Sequence, residues 1–164
     1  MSLSALTAFG RRYARAWCSQ EPDRVAAFFA EDGSLTVNGG QPAVGREAIA
    51  EVARSYMMAF PDLHVSMKGL TRETRGVVFH WSLSGTNTGS GGKGYRVELD
   101  GDEVWRMDDD GLIAESQGHF NAEDYAHQLE YGEHLTPEEG EEGPPVRRGR
   151  PPKYATQRPR EDTG

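Results

Sequence analysis

Apolar residues in the first part of the chain recur at helical spacing. The first such pattern covers residues 3–20, and Pro22, a residue suited to the first turn of a helix, begins a second pattern predicted to reach Ala30. A third pattern covers residues 45–58. The apolar stripe of the first helix consists of Leu6, Phe9, Tyr13, Ala16 and Trp17. Three amphipathic helices are therefore predicted before the chain changes character.

From residue 63 onward, apolar and polar positions alternate with a period of two, which predicts strands that each have one buried face. Together with a short earlier segment, the predicted extended segments are 34–37, 63–67, 77–83, 95–99, 103–107 and 112–120. The aspartate-rich turn 108–111 joins the last two into a hairpin. Asn121 is the predicted N-cap of a last helix, 122–129. Helices followed by consecutive antiparallel strands indicate an α+β fold.

Charge divides the 164-residue chain into two parts. Residues 1–143 contain 24 acidic and 12 basic residues, a net charge of −12, whereas residues 144–164 contain 2 acidic and 6 basic residues, a net charge of +4. We therefore predict a folded domain over residues 1–132 that repels nucleic acid. Residues 133–164, rich in Pro, Glu, Gly and Arg, are predicted to form a disordered tail that attracts it.

Several classes of site are not expected. Cys18 is the only cysteine, which excludes a disulfide framework and zinc sites built from several thiolates, and no HExxH spacing occurs, so we predict no metal and no cofactor. The glycine-rich segment 89–94 satisfies GxGxxG but leads into a predicted strand instead of a helix, which argues against a nucleotide loop. No stretch has the length of a membrane-spanning helix, so we expect no membrane partner and a cytoplasmic location, with nucleoid association as an alternative.

Five local phrases occur in a distinctive order between residues 5 and 130. They are VAAFFAEDG at 25–33, GREAI at 45–49, FPDL at 60–63, WSLSGT at 81–86 and DGLIAE at 110–115. Together they resemble the SnoaL-like branch of the nuclear transport factor 2-like superfamily, which includes polyketide cyclases and ketosteroid isomerases. The resemblance implies a cone: a curved antiparallel sheet wrapped around the N-terminal helices, with an apolar pocket between them. It also implies a homodimer formed through the outer face of the sheet.

The resemblance further implies which side chains face the pocket. The candidates for binding an apolar or polycyclic ligand are Val52, Tyr56, Phe79, Trp81, Leu83, Ser116 and Phe120. Alternation on the last strand leaves two possibilities open. Either Ser116 and Phe120 point inward and His119 faces a dimer partner, or the parity is reversed and Glu115, Gln117 and His119 face the pocket.

Ketosteroid isomerases stabilise an enolate oxygen with a tyrosine on the first helix and a carboxylic acid on a late strand, and another carboxylate moves the proton. The resemblance places Tyr13 and Glu103 in the first two roles. Burial in an apolar pocket would keep Glu103 protonated, so that it could donate a hydrogen bond. The resemblance places the third role, that of the carboxylate that moves the proton, at Asn38 on the first strand. An asparagine cannot act as a general base at neutral pH.

The tail contains a second motif. Arg147, Arg148, Gly149, Arg150, Pro151 and Lys153 belong to the segment 147–153, which resembles an AT-hook. In such a motif, arginines enter the narrow minor groove of A·T-rich DNA. The alternative is a generic basic tail.

The sequence therefore favours a domain that binds a small apolar molecule, joined to a tail that binds A·T-rich DNA. The alternative is a cyclase- or isomerase-type enzyme that uses acid/base chemistry in the pocket and needs no metal.

Overall fold

The computed structural model describes residues 1–89 and 91–132. Within these residues, four helices and six strands follow one another in an order close to the predicted one. The helices are α1 (Leu3–Trp17), α2 (Pro22–Ala26), α3 (Arg46–Ala59) and α4 (Ala122–Tyr131). The strands are β1 (Phe29–Val37), β2 (Ala43–Val44), β3 (His64–Glu73), β4 (Gly76–Thr86), β5 (Arg96–Met107) and β6 (Ile113–His119).

The six strands form one curved sheet in the order β2-β1-β6-β5-β4-β3. All neighbouring strands are antiparallel except β1 and β6, which run parallel. Register shifts interrupt the β1–β6, β3–β4 and β5–β6 pairs, and such irregularities bend a sheet locally. The predicted α+β class is confirmed, with one parallel pair that the sequence pattern did not indicate.

The boundary between α2 and β1 differs from the prediction. The second helix ends at Ala26 instead of Ala30, and β1 begins at Phe29, well before the predicted start at residue 34. Phe29 pairs with Ile113 of β6, and both side chains are fully buried. The apolar residues that continue the helical pattern therefore belong to the sheet, because tertiary burial outweighs the local pattern.

The predicted segments 95–99 and 103–107 are also one strand, not two. Gly101, between them, pairs with Trp81 of β4 and keeps the ladder continuous. A Cβ atom at Gly101 would lie 2.3 Å from the Trp81 ring and 2.5 Å from the His119 carbonyl oxygen. Glycine is needed here because the indole of Trp81 lies directly across the β5 backbone.

The main core lies between the helices and one face of the sheet. Tyr13 of α1 is fully buried, and its ring contacts Phe79 at 5.4 Å and Trp105 at 5.2 Å between centroids. Phe79 and Trp105 stack at 4.9 Å on neighbouring strands. These contacts join the first helix to the middle of the sheet, where the functional candidates lie.

The last helix, α4, packs beside the part of β5 that β6 does not reach. β6 pairs with β5 only from Asp102 to Met107. The fully buried Gln128 accepts a hydrogen bond from the Glu98 N–H at 2.7 Å and donates one to the Glu98 carbonyl at 2.9 Å. Its side-chain amide thus forms with the β5 backbone the two hydrogen bonds that a neighbouring strand would form. The predicted cap is confirmed, since the Asn121 side chain accepts from the Asp124 N–H at 2.9 Å.

No helix in the described part of the chain is both long enough and apolar enough to cross a membrane.

Candidate functional site

A cavity that opens to solvent lies between the inner face of the sheet and helices α1, α3 and α4. Aliphatic and aromatic side chains dominate its wall. The lining residues are Trp17, Leu35, Val37, Val52, Tyr56, Val65, Phe79, Trp81, Leu83, Leu99, Glu103, Gly118, His119, Phe120 and Tyr125. None of them is a lysine or an arginine.

Most of the residues predicted for ligand binding line this cavity. The structure places Val52, Tyr56, Phe79, Trp81, Leu83 and Phe120 on its wall. Ser116 does not line it but lies fully buried behind the wall, where it contacts Glu103. Phe79, Trp81 and Leu83 alternate along β4, and the resemblance assigned them to the pocket side of that strand.

Glu103 of β5 is the carboxyl group in the cavity wall, and it is 8% exposed. Its Oε1 accepts hydrogen bonds from Tyr13 at 2.9 Å, from the Trp105 indole at 2.9 Å and from the Ser116 hydroxyl at 2.8 Å. Its Oε2 has only the longer contact with Tyr13, at 3.2 Å. The donors therefore fix one oxygen and leave the other with spare acceptor capacity.

The protonation of Glu103 reflects two opposing effects. Burial away from water raises its pKa, while the hydrogen bonds from Trp105, Ser116 and Tyr13 lower it, and nearby Asp102 adds a smaller upward contribution. The net result is a pKa above the ordinary value of a glutamate. Glu103 is thus a carboxyl group whose proton is held more tightly than that of a surface carboxyl.

Tyr13 does not face the cavity. It lies behind Glu103, within the aromatic core, and donates its hydroxyl proton to the carboxyl group. Burial and the charge of Glu103 raise the Tyr13 pKa well above its ordinary value, so the phenol remains a donor. The role implied by resemblance, a direct hydrogen bond from Tyr13 to a ligand oxygen, does not fit this position. The Tyr13 hydroxyl instead bonds to the Glu103 carboxyl group from the core side.

Asn38 also lies outside the cavity, which corrects its placement in the predicted site. It is exposed just after β1, with a positive φ of 50°. Its side-chain oxygen accepts from the Phe120 N–H at 2.9 Å, and its own N–H donates to the Gly118 carbonyl at 2.8 Å. The side chain ties the turn after β1 to the end of β6, and Val37 occupies the cavity wall instead.

The side chains of β6 follow neither predicted orientation completely. Ser116 is buried on the inner side, in contact with Glu103, while His119 at the end of β6 is exposed yet reaches the cavity wall. His119 Nδ1 lies 3.3 Å from Asp102 Oδ1. Glu115 and Gln117 bond to each other at 3.0 Å and do not line the cavity.

Sequence reasoning missed part of the wall. Trp17, Leu35, Val37, Val65, Leu99 and Tyr125 were not proposed as ligand contacts. Trp17, Val65 and Leu99 lie on predicted apolar faces, so the same periodicity could have selected them. Tyr125 carried no such signal, since it belongs to a last helix whose packing depends on tertiary structure.

Two tyrosines, Tyr56 and Tyr125, contribute to the cavity wall. Within the described residues, no hydrogen-bond partner is found for the hydroxyl of Tyr56 or of Tyr125. Burial raises the pKa of Tyr56, and burial together with Tyr56 raises the pKa of Tyr125 to about 12. Both phenols therefore remain proton donors throughout the neutral range.

The same described residues contain no group of three His, Cys, Asp or Glu side chains that could hold a metal ion. The predicted AT-hook-like segment 147–153 and the remainder of the tail lie outside the described residues.

Comparisons with known proteins agree with this architecture. The SnoaL-like domain family matches residues 10–116. A comparison with curated protein sequences finds no match. Among solved structures, a protein with a ketosteroid isomerase-like fold from Catenulispora acidiphila, in complex with trimethylamine, aligns with a TM-score of 0.65 at 18% identity, over 79% of this chain and 95% of that one.

Two further structures are related to ring-forming chemistry. SalBIII, an epoxide hydrolase/cyclase-like enzyme of pyran ring formation in the polyether salinomycin, aligns with a TM-score of 0.64 at 18% identity, over 74% of this chain and 94% of that one. A proposed SnoaL-like polyketide cyclase from Jannaschia sp. CCS1 aligns with a TM-score of 0.62 at 15% identity, over 76% and 93%. At these identities the likeness establishes the fold. With the family match over most of the described domain, the chain belongs to the SnoaL-like domain family, with the fold of nuclear transport factor 2 and ketosteroid isomerase.

Proposed function

We propose that the cavity binds a small, uncharged, largely apolar molecule and that Glu103 exchanges a proton with it, in an acid/base reaction of the cyclase or isomerase class. The observation that carries this proposal is a buried carboxyl group in the wall of an otherwise apolar cavity.

The asymmetry of the Glu103 hydrogen bonds supports this role. Three donors hold Oε1 in place, so the carboxyl group is oriented before a ligand arrives. Because the pKa of Glu103 is raised, it lies closer to neutral pH, where a carboxyl group gives and takes a proton most efficiently. Oε2, with its single long contact, is the oxygen that exchanges the proton with a bound molecule.

The charge of the wall restricts the ligand. Glu103 and His119 are the ionisable groups in the wall besides two tyrosines, and no cationic side chain is present to pair with a carboxylate or a phosphate. An anionic ligand would lose its hydration without compensation. The ligand is therefore neutral in the part that enters the cavity.

The structural relatives favour the same class of reaction. SalBIII and the Jannaschia protein are both described in terms of cyclisation. Fold likeness alone does not transfer a reaction. The proposal rests on the position of Glu103 in the cavity wall, and the fold likeness is additional support.

The test uses 2-tetralone, a neutral bicyclic ketone whose α-protons exchange slowly with D₂O at neutral pH, followed by ¹H NMR. The native protein is expected to accelerate exchange, and Glu103→Gln to reduce that acceleration by about 10²-fold or more, the usual share of a general base. Glu51→Gln, which changes an exposed carboxylate on α3, serves as the matched control and should exchange like the native protein.

Retention of exchange by Glu103→Gln would overturn the catalytic role. Binding of 2-tetralone to the native protein without any acceleration would support the second candidate, a ligand-binding module that carries out no reaction. The engagement of Tyr13 with Glu103, which removes a second acid from the cavity, is the observation that favours this candidate.

We also propose, from the sequence alone, that the tail contacts A·T-rich DNA through Arg147, Arg148, Gly149, Arg150, Pro151 and Lys153. A homodimer, proposed by resemblance to the family, would present two such tails and raise their effective concentration on DNA.

A further inference from the structure

We propose that α4 is a movable wall of the cavity, which swings outward to admit an apolar ligand and closes onto the bound molecule. This inference rests on the proposed binding of an apolar molecule and goes beyond it. It does not require that Glu103 exchange a proton with that molecule.

The helix contributes directly to the cavity wall. Tyr125, near the middle of α4, lines the cavity, and so does Phe120, two residues before the helix begins. The Tyr125 ring packs edge-on against Phe120 at 5.4 Å and lies 6.5 Å from the Phe60 ring, measured between centroids. Movement of α4 away from the sheet therefore takes Tyr125 out of the wall and widens the cavity.

The helix itself is only lightly buried. Five of its ten residues are exposed, and the one that is fully buried is the polar Gln128. Tyr125 and Leu129 are half-buried. An element with so little buried apolar surface opens at a lower free energy than the core of the domain.

Gln128 holds α4 against the sheet through hydrogen bonds that water can replace. Its side-chain amide bonds to the N–H and the carbonyl of Glu98 at 2.7 and 2.9 Å. β6 pairs with β5 only from Asp102 to Met107, so water can reach this part of β5 once α4 has moved. An exposed ion pair between Lys93 and Glu130 also ties the helix, but such pairs contribute little.

The link between β6 and α4 defines the position about which the helix turns. The Phe120 N–H donates to the Asn38 side-chain oxygen at 2.9 Å, which ties Phe120 to the turn after β1. The next residue, Asn121, caps the helix by accepting from the Asp124 N–H at 2.9 Å. Because the chain is fixed to the sheet at Phe120 and to the helix at Asn121, the movement is confined to the backbone between these two residues.

A bound apolar molecule favours the closed position of α4. Tyr125 shields such a molecule from water only while the helix lies against the sheet. A ligand that binds one of two states more tightly shifts the population toward that state. Ligand binding should therefore suppress the outward movement of a helix that is otherwise weakly held.

The first experiment follows amide hydrogen exchange in the full native chain, with and without 2-tetralone at ten times its dissociation constant. If only the closed state binds, exchange in α4 should slow by up to about 10-fold. The matched internal control is the segment 71–78 at the end of the β3–β4 hairpin, which lies outside the cavity wall and should change little.

The second experiment measures the association and dissociation rates of 2-tetralone by stopped-flow quenching of tryptophan fluorescence. Gln128→Ala removes the two bonds to β5, so both rates should rise by about 5-fold or more. Glu123→Gln, at an exposed position on the same helix, should give the native rates. The first experiment needs no variant, so it decides the question even if Gln128→Ala does not fold.

Two results would overturn this inference and leave the proposed function standing. In one, 2-tetralone binds but exchange in α4 slows no more than exchange in segment 71–78. In the other, it binds and Gln128→Ala keeps both native rates, which would mean that the ligand enters without any movement of α4. If 2-tetralone does not bind the native protein, the proposed function fails together with this inference.

Discussion

At the scale of single residues, the protonation of Glu103 links the site to the stability of the domain. Its pKa is higher in the folded protein than in the unfolded chain, so the folded state binds its proton more tightly. The stability that this contributes is complete below the ordinary carboxyl pKa and is lost as the pH rises through the raised pKa.

Replacement by the neutral isostere Glu103→Gln should remove that dependence. Relative to the variant, the native protein is expected to lose free energy of unfolding as the pH rises above about 4 and through the raised pKa, because only the native protein must ionise a buried carboxyl group. Urea unfolding of both proteins at several pH values measures the difference. A difference that stays constant with pH would contradict a raised pKa.

The Ser116 hydroxyl should tune this pKa. Ser116→Ala removes one of the donors to Glu103 Oε1, and since these donors lower the pKa, the pKa should rise further. The pH midpoint of 2-tetralone exchange is therefore expected to move upward, with a stability cost of about 1 kcal/mol. Ser116→Thr, which keeps a hydroxyl, is the control and should retain the native midpoint. A purely structural role for Ser116 would change stability and leave the midpoint where it is.

At the scale of elements, α4 depends on one buried side chain. Gln128→Ala leaves the Glu98 backbone without the amide that bonds to it, at a cost of about 1–3 kcal/mol. Amide hydrogen exchange should accelerate in α4 and in the N-terminal half of β5, and remain slow where β5 pairs with both β4 and β6. Glu123→Gln, at an exposed position on the same helix, should exchange like the native protein. Uniform acceleration across the whole sheet would show that α4 is not a separate unit.

The period of apolar residues predicted the helices and the inner face of β4, because burial on one side imposes that period directly. It failed at Phe29, where a helical pattern continues into a strand, and at Gly101, where a glycine within a long strand looked like a break. Both failures involve contacts with residues far away in sequence, Ile113 and Trp81.

The same limit applies to the candidate site. Glu103 was identified by resemblance and lies in the cavity, but the spacing of residues could not show that Tyr13 would face Glu103 from behind instead of facing the ligand. Asn38 was assigned to the site by resemblance, at the end of the first predicted strand, whereas a left-handed turn directs it to the Phe120 backbone. Tyr125 could not be found because α4 carries no strong apolar stripe.

At the scale of the whole molecule, the acidic domain and the basic tail predict different affinities for DNA. The full chain should bind an A·T-rich duplex more tightly than a matched G·C-rich duplex, and a chain that ends at Glu133 should bind neither. Fluorescence anisotropy at two salt concentrations measures this, and higher salt should weaken binding. Equal affinity for both duplexes would leave a generic basic tail as the explanation.

The central claim is that Glu103 is a buried carboxyl group tuned for proton exchange with a ligand in the cavity. Its most direct test is the titration of the Glu103 side-chain carboxyl carbon by ¹³C NMR in the full chain, with Glu103→Gln used to assign the signal. We expect a midpoint above the ordinary glutamate value, and a further rise when 2-tetralone fills the cavity and displaces water. A midpoint at or below the ordinary value, unchanged by the probe, would contradict it.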